Sequence, residues 1–305
     1  MAPSRDAPDA GLTWRMLATA VLVALVYAAA VLPAFLAGPV WGATAAAAAA
    51  LLAVVSARAS DRLALYAMGG RPVTPDKEPE LHAVLDRLCM SSGLPKPRLA
   101  VSSLDMPNAF AAGSGPGSAV VCVTAGLRSR LDPAEIAAVL AHETAHVANR
   151  DVLVGAVASF PGLCAGLFLR WWTGLITGWN RYGAGRAAAV AAGVLLLPLG
   201  VAAAVLHGVG TLAGLALSRH RELCADSTGA LLTGRPSDLA SALAKISEGV
   251  RGASRDDLRA LRPVSALCVV GARGRGASGL LSSHPPLERR RERLSALSWR
   301  LASGG

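Results

Sequence analysis

The sequence predicts a mainly α protein with a small β-sheet, anchored by several membrane-spanning helices and carrying its polar residues in a separate water-facing part. Three observations predict this class. Of 305 residues, 53% are hydrophobic and only 16% charged, against roughly 25% charged in a soluble globular chain. The apolar residues gather in long uncharged blocks, 16–57, 152–169 and 187–218. Between and after these blocks, proline, charge and short mixed segments return.

Residues 1–13 form a polar tail. The block 16–57 is about twice the ~20 residues one helix needs to cross a bilayer, and Gly38-Pro39 punctuates it near its centre. It predicts two spans within 14–57, at 14–36 and 40–57, joined by a tight turn. A cleaved signal peptide, with Arg5 and Arg15 as its basic region, is the rival reading. Its apolar core would be too long, and a second span follows at once. Residues 58–151 read as soluble αβ sequence, in which 118–124 (SAVVCVT) is a buried or edge strand. The block 152–169 predicts a third span interrupted by Pro161-Gly162, followed by Trp171, Trp172 and Trp179 as an interfacial belt. The block 187–218 contains Pro198 and exceeds what one span requires, so its helix is expected to leave the membrane and carry 219–231 into water. A buried hairpin that never crosses is the alternative for 152–217, because Arg170, Arg181 and Arg186 lie between the two stretches. Residues 218–305 are soluble again, with a Gly-rich stretch at 271–279 and an Arg-rich amphipathic helix at 287–301.

The formal net charge is +10, nearly all from Arg. Flanking of spans and attraction to the lipid bilayer account for it. Nucleic acid is not an expected partner: the basic residues are scattered and aromatics make up only 4%. Arg58, Arg62, Arg71, Arg150, Arg219 and Arg221 flank one side of the spans and Arg170, Arg181 and Arg186 the other. The majority marks the cytoplasmic side. Five widely spaced cysteines show neither a disulfide framework nor a CxxC metal site.

The decisive segment is 131–151, LDPAEIAAVLAHETAHVANRD. Asp132 is a good N-cap, Pro133 suits the first helical position, and Glu135 completes a capping box. On the helix that follows, His142 and His146 are four residues apart and project from one face, the spacing two ligands of one tetrahedral zinc need. Glu143 can point at the open coordination position and take a proton from the attacking water. A catalytic zinc needs a third protein ligand. Glu222, in SRHRELCAD (218–226), is the best candidate, with Asp226 one turn further on to fix a ligand ring. Surface pairing of these acids with Arg219 or Arg221 is the alternative. The strand at 118–123 is a candidate for pairing with an extended substrate backbone through Ala119 and Val121, or an ordinary core strand. Asn108 is a further candidate for the substrate side, or a turn anchor. His284, stiffened by Pro285-Pro286, is a candidate for stabilising the tetrahedral intermediate, for closing the resting site as an extra ligand, or for a plain helix-entry turn.

These pieces, NAFAAG (108–113), SAVVCVTAGLRSRL (118–131), AHETAHVANRD (141–151), SRHRELCAD (218–226) and SHPPLERR (283–290), resemble the HtpX-type membrane zinc metalloproteases in content and order. That family is related to the CAAX prenyl proteases and to the zincins with a Glu third ligand. The resemblance covers roughly 14–295. It implies a zincin-like domain on the cytoplasmic side of the cell membrane, built from 58–151 and 218–305. It implies one zinc per chain held by His142, His146 and Glu222, with Glu143 as base. It also implies protein or peptide substrates drawn from membrane or misfolded proteins, in quality control. Leu223 and Ala145 depart from the family's usual residues without removing a ligand. A non-proteolytic or signalling relative with a structural metal remains an alternative, as does a prenyl-protein processing protease. The intact Glu143 counts against the first, and the small number of spans against the second.

Overall fold

The computed structural model describes residues 38–113, 115–177, 186–253, 268–269 and 282–303, with scattered helical positions between 14 and 28. The expected tail at 1–13 and the Gly-rich stretch at 271–279 lie outside the described residues, as does most of the first expected span. In chain order the elements are α1 (Pro39–Ala67), β1 (Gly70–Pro72), α2 (Pro79–Ser92), β2 (Arg98–Ser102), β3 (Ala109–Ala112), β4 (Val120–Thr124), α3 (Ala125–Arg130), α4 (Pro133–Ala148), α5 (Asp151–Thr177), α6 (Arg186–Leu195), α7 (Leu197–Thr233), α8 (Pro236–Arg251) and α9 (Leu287–Ala302). They fall into two compact units, Met1–Ala53 with Ala156–Leu217, and Val54–Gly155 with Ser218–Gly305.

The first unit is helical. α5 runs unbroken through Pro161-Gly162, so the expected interruption is absent: a proline removes one backbone donor but need not end a helix whose neighbours continue it. The break comes instead at Leu196, between α6 and α7. Pro198 two residues on lacks an N–H, and its ring crowds the carbonyl one turn back. The Trp172 indole donates to the Gly193 carbonyl at 2.9 Å. Its ring lies where a side chain at Gly200 would have to go, 2.5 Å from a Cβ. Trp172 is therefore a packing residue between these helices. Among the described residues, α7 is the one helix long and apolar enough to cross a membrane by length and composition.

The second unit is built around a four-stranded sheet of order β1-β2-β4-β3. β1 runs antiparallel to β2, β2 parallel to β4, and β3 antiparallel to β4. Every residue of β3 and β4 is buried, so the two strands have no solvated face and no alternating pattern. β4 is hydrogen-bonded on both sides, so of the two readings of 118–123 the ordinary core strand is the one that holds. Helix α4 packs against β3, α2 and α8, and α9 closes over α8. Leu85, Leu99, Phe110, Leu127, Leu140, Leu243, Ile246 and Leu294 fill the core between them.

Candidate metal centre

Helix α4 starts as its sequence dictates. The Asp132 carboxylate accepts from Glu135 N at 3.0 Å and the Glu135 carboxylate accepts from Asp132 N at 3.1 Å, a cap contributing ~1 kcal/mol. Glu135 also accepts from Ser241 at 2.6 Å and Lys245 at 2.7 Å, both on α8. The start of α4 is thereby tied to a neighbouring helix, which fixes where its later turns lie.

Two turns on, His142 and His146 project together. Their rings meet edge to face with centroids 4.7 Å apart, and their Nε2 atoms are 3.1 Å apart. Glu222 comes from α7, with its carboxylate oxygens 3.8 Å from His142 Nε2 and 3.5 Å from His146 Nε2. The approach is possible because α7 carries Gly229 where it crosses α4: a Cβ there would lie 2.8 Å from the His142 backbone nitrogen.

These residues fit a metal. One donor atom from each of His142, His146 and Glu222 falls within 4.8 Å of the others. Tetrahedral ligands ~2.0–2.1 Å from a zinc ion sit about 3.3 Å apart, close to the separations found. Two imidazole nitrogens turned toward each other beside a carboxylate call for a cation among them. Glu143 adds a second sign. It is fully buried, and among the described residues no side chain hydrogen-bonds its carboxylate, which has only the Ala111 backbone beside it, a costly arrangement for a group with only a structural role. Burial pushes its pKa up to about 8.

Each ligand histidine has its own carboxylate behind it. Asp226 Oδ1 stands 3.1 Å from His142 Nδ1. Asp151 Oδ2 lies 2.6 Å from His146 Nδ1 and accepts its proton, leaving Nε2 as the free donor atom. Each carboxylate in turn faces an arginine. Arg290 of α9 grips Asp226 with two bonds, of 2.8 and 2.6 Å, donates to the Val269 carbonyl at 2.9 Å, and reaches Glu222 at 3.3 Å. Arg221 Nε lies 3.0 Å from Asp151 Oδ1.

The charges shift accordingly. Burial alone would lower His146, but the Asp151 hydrogen bond and the Glu222 and Glu143 charges outweigh it and raise the pKa to about 9. Burial dominates at His142 and lowers it. Burial would raise Glu222 and Asp226. Interactions with His284, Arg290 and His146 hold Glu222 well below the usual carboxylate range, and Arg290 with His142 lowers Asp226.

The other expected site residues sort differently. His284 is nearly buried, and its Nδ1 lies 3.2 Å from Glu222 Oε2. Its turn is held by Ser282, whose carbonyl accepts from Arg219 at 2.8 Å. Asn108 is fully buried and its Oδ1 accepts from Ala109 N at 3.0 Å, which anchors the turn into β3. Ala119 and Val121 are buried. Val121 of β4 is paired by both β2 and β3, so it cannot take up an added strand; Ala119 lies just before β4, its carbonyl accepting from Arg98 N at 2.9 Å. Glu222 and Asp226 are buried rather than surface acids; Arg221 reaches Asp151 and Arg219 donates to the Ser282 carbonyl.

Residues 75–298 match the family described as Peptidase family M48. The chain belongs to peptidase family M48. Among its M48 relatives, Protease HtpX homolog 1 of Streptomyces coelicolor is 46% identical over 244 residues, 79% of this chain and 78% of that protein. The Protease HtpX homolog of Moorella thermoacetica is 41% identical over 92% of this chain and 93% of its own length. Protease HtpX homolog 2 of Methanosarcina mazei is 39% identical over 78% and 79%. The chain is thus a metalloprotease of the HtpX type, and the His142, His146 and Glu222 cluster is its candidate metal site. Sequence reasoning missed three residues of this M48 site: Asp151, Arg290 and Gly229. Asp151 and Arg290 stand inside segments already singled out, AHETAHVANRD and SHPPLERR, but nothing in a linear pattern aims them inward.

Proposed function

We propose that the chain is a membrane-embedded zinc endopeptidase that hydrolyses peptide bonds of membrane or misfolded proteins. Several apolar helices anchor it in the cell membrane, its catalytic part faces the cytoplasm, and it serves in protein quality control. The observation that carries the reading is the buried Glu143, with no side-chain hydrogen bond among the described residues, beside a His-His-Glu cluster with tetrahedral spacing. The long apolar α7 supports the membrane placement, as does the excess of Arg over acidic residues.

His142, His146 and Glu222 hold one zinc ion per chain. When bound, zinc supplies a Lewis acid that polarises the scissile carbonyl and acidifies water. Glu143 takes the proton of the attacking water and hands it to the leaving amine. Burial raises its pKa to about 8 in the metal-free site; a cation held beside it would favour the ionised form that a base needs. Asp226 and Asp151 hold the ligand rings, and Arg290 keeps Asp226 charged in a buried place. His284, beside Glu222, is placed to donate to the developing oxyanion.

Metal analysis together with casein digestion in detergent tests this reading, with wild type beside Glu143→Gln. Zinc in both proteins and cleavage only by wild type is the expected result. Casein digestion by purified Glu143→Gln at the wild-type rate would reject the mechanism.

A further inference from the structure

We infer that Asp151 is a positioning residue for the metal ligand His146, and that Arg221 and Gly155 set its place; this rests on the metallopeptidase reading above. Asp151 is five residues after His146, a spacing that points away from it on a continuous helix. The chain brings it back by ending α4 and starting α5 around Arg150. That residue has φ of 54°, the one non-glycine in the left-handed region among the described residues. Such a conformation persists only where the surroundings hold it. It turns the first residue of α5 so that Asp151 Oδ2 accepts from His146 Nδ1 at 2.6 Å. Asp151 is 4% exposed, so its other oxygen also needs a partner.

That partner is Arg221, whose Nε lies 3.0 Å from Asp151 Oδ1. Arg221 immediately precedes Glu222 on α7, so one helix supplies both a metal ligand and the cation that steadies the other ligand's carboxylate. The guanidinium reaches Asp151 by passing over α5 at Gly155, one turn beyond. A Cβ at 155 would meet Arg221 Nη1 at 2.8 Å. The contacts form a chain: space at Gly155, Arg221, Asp151, the Nδ1–H of His146, and the Nε2 lone pair left for the metal. It mirrors Arg290, Asp226 and His142 on the other side. Outer partners of this kind fix the tautomer and ring direction of a ligand histidine.

The experiment uses the full chain in detergent, loaded with zinc or cobalt(II). Zinc release to excess chelator and the visible bands of the cobalt protein are measured for wild type, Asp151→Asn, Asp151→Glu and Gly155→Ala. Asp151→Asn is expected to speed release about 10–100-fold and to shift the cobalt bands. Asp151→Glu should recover part of both. Gly155→Ala keeps every ligand and acid and displaces only the far end of Arg221, so it should fold normally and shift both readouts in the same direction by less. If Asp151→Asn does not fold, Gly155→Ala and Asp151→Glu decide. Wild-type release rates and unchanged cobalt bands in the variants that fold would overturn the role of Asp151 alone. A wild-type chain that holds neither metal would overturn this inference and the metallopeptidase reading together.

Discussion

Gly229 of α7 lies against the backbone of His142 of α4, so closely that a Cβ at 229 would stand 2.8 Å from the His142 nitrogen and 2.9 Å from its Cα. The obstacle is main chain, which cannot swing aside. Gly229→Ala is therefore expected to push the two helices apart by several tenths of an ångström or more and draw Glu222 away from the imidazoles. Zinc content measured on purified protein should fall, together with a destabilisation of roughly 1–3 kcal/mol in thermal unfolding. Full zinc occupancy at wild-type stability would mean the crossing is not tight.

Glu143→Gln preserves volume and removes the base. Zinc should stay bound, and cleavage of an unfolded protein should drop by ~10²-fold or more. Metal analysis and the rate of casein loss measure the two effects separately.

Glu222→Ala removes a ligand and leaves Arg290 with one carboxylate fewer in a buried place. Zinc stoichiometry should fall well below that of wild type, and the metal-free variant should also be less stable, by an amount on the order of 3 kcal/mol. Unchanged stoichiometry would show that another group completes the site.

Arg290→Met keeps an unbranched, flexible apolar stem and removes the guanidinium with its charge. Asp226 and Glu222 would then be buried without their shared cation, so the variant should unfold several degrees lower and bind zinc about 10–100-fold more weakly. Chelator competition with the folded variant reads the second effect independently of the first.

The metal-free protein should lose stability as pH rises from about 6 to 9. His146 has its folded pKa raised to about 9, so its stabilisation is complete below the unfolded value of ~6.5 and disappears as pH passes through 9. Glu143, raised to about 8, acts in the same direction, because the folded state holds a proton that the unfolded state has already released. Zinc must displace those protons, so its apparent affinity should increase across the same window and its binding near pH 7 should release protons to the buffer. Calorimetry in buffers of different ionisation enthalpy measures the release. A zinc affinity flat between pH 6 and 9 would contradict the shifts.

The parts of the site that follow helical spacing were legible in the sequence. His142, Glu143 and His146 are charged or polar positions in an apolar run, and Glu222 and Asp226 repeat the same four-residue interval on a second helix. Asp151 was hidden because its contact depends on a left-handed residue at 150, which no periodicity announces. Arg290 was hidden in the run Arg289-Arg290-Arg291: composition reads all three as solvated, and only packing against α8 decides which one turns inward. β3 was missed because AFAA does not alternate, both of its faces being buried. The strand at 118–124 was found, but whether one or two neighbours flank it is a property of the whole sheet. The helix break near Pro198 was misplaced to Pro161-Gly162 because proline alone does not say which of two prolines a helix tolerates.

One unbroken helix, α7, carries both the carboxylate of Glu222 and Gly229, the residue at which it crosses α4. The two are consequently locked in phase. Each inserted or deleted residue between them would swing the acid by about 100° around the axis relative to the crossing point. The interval from Glu222 to Gly229 thus tolerates no change in length.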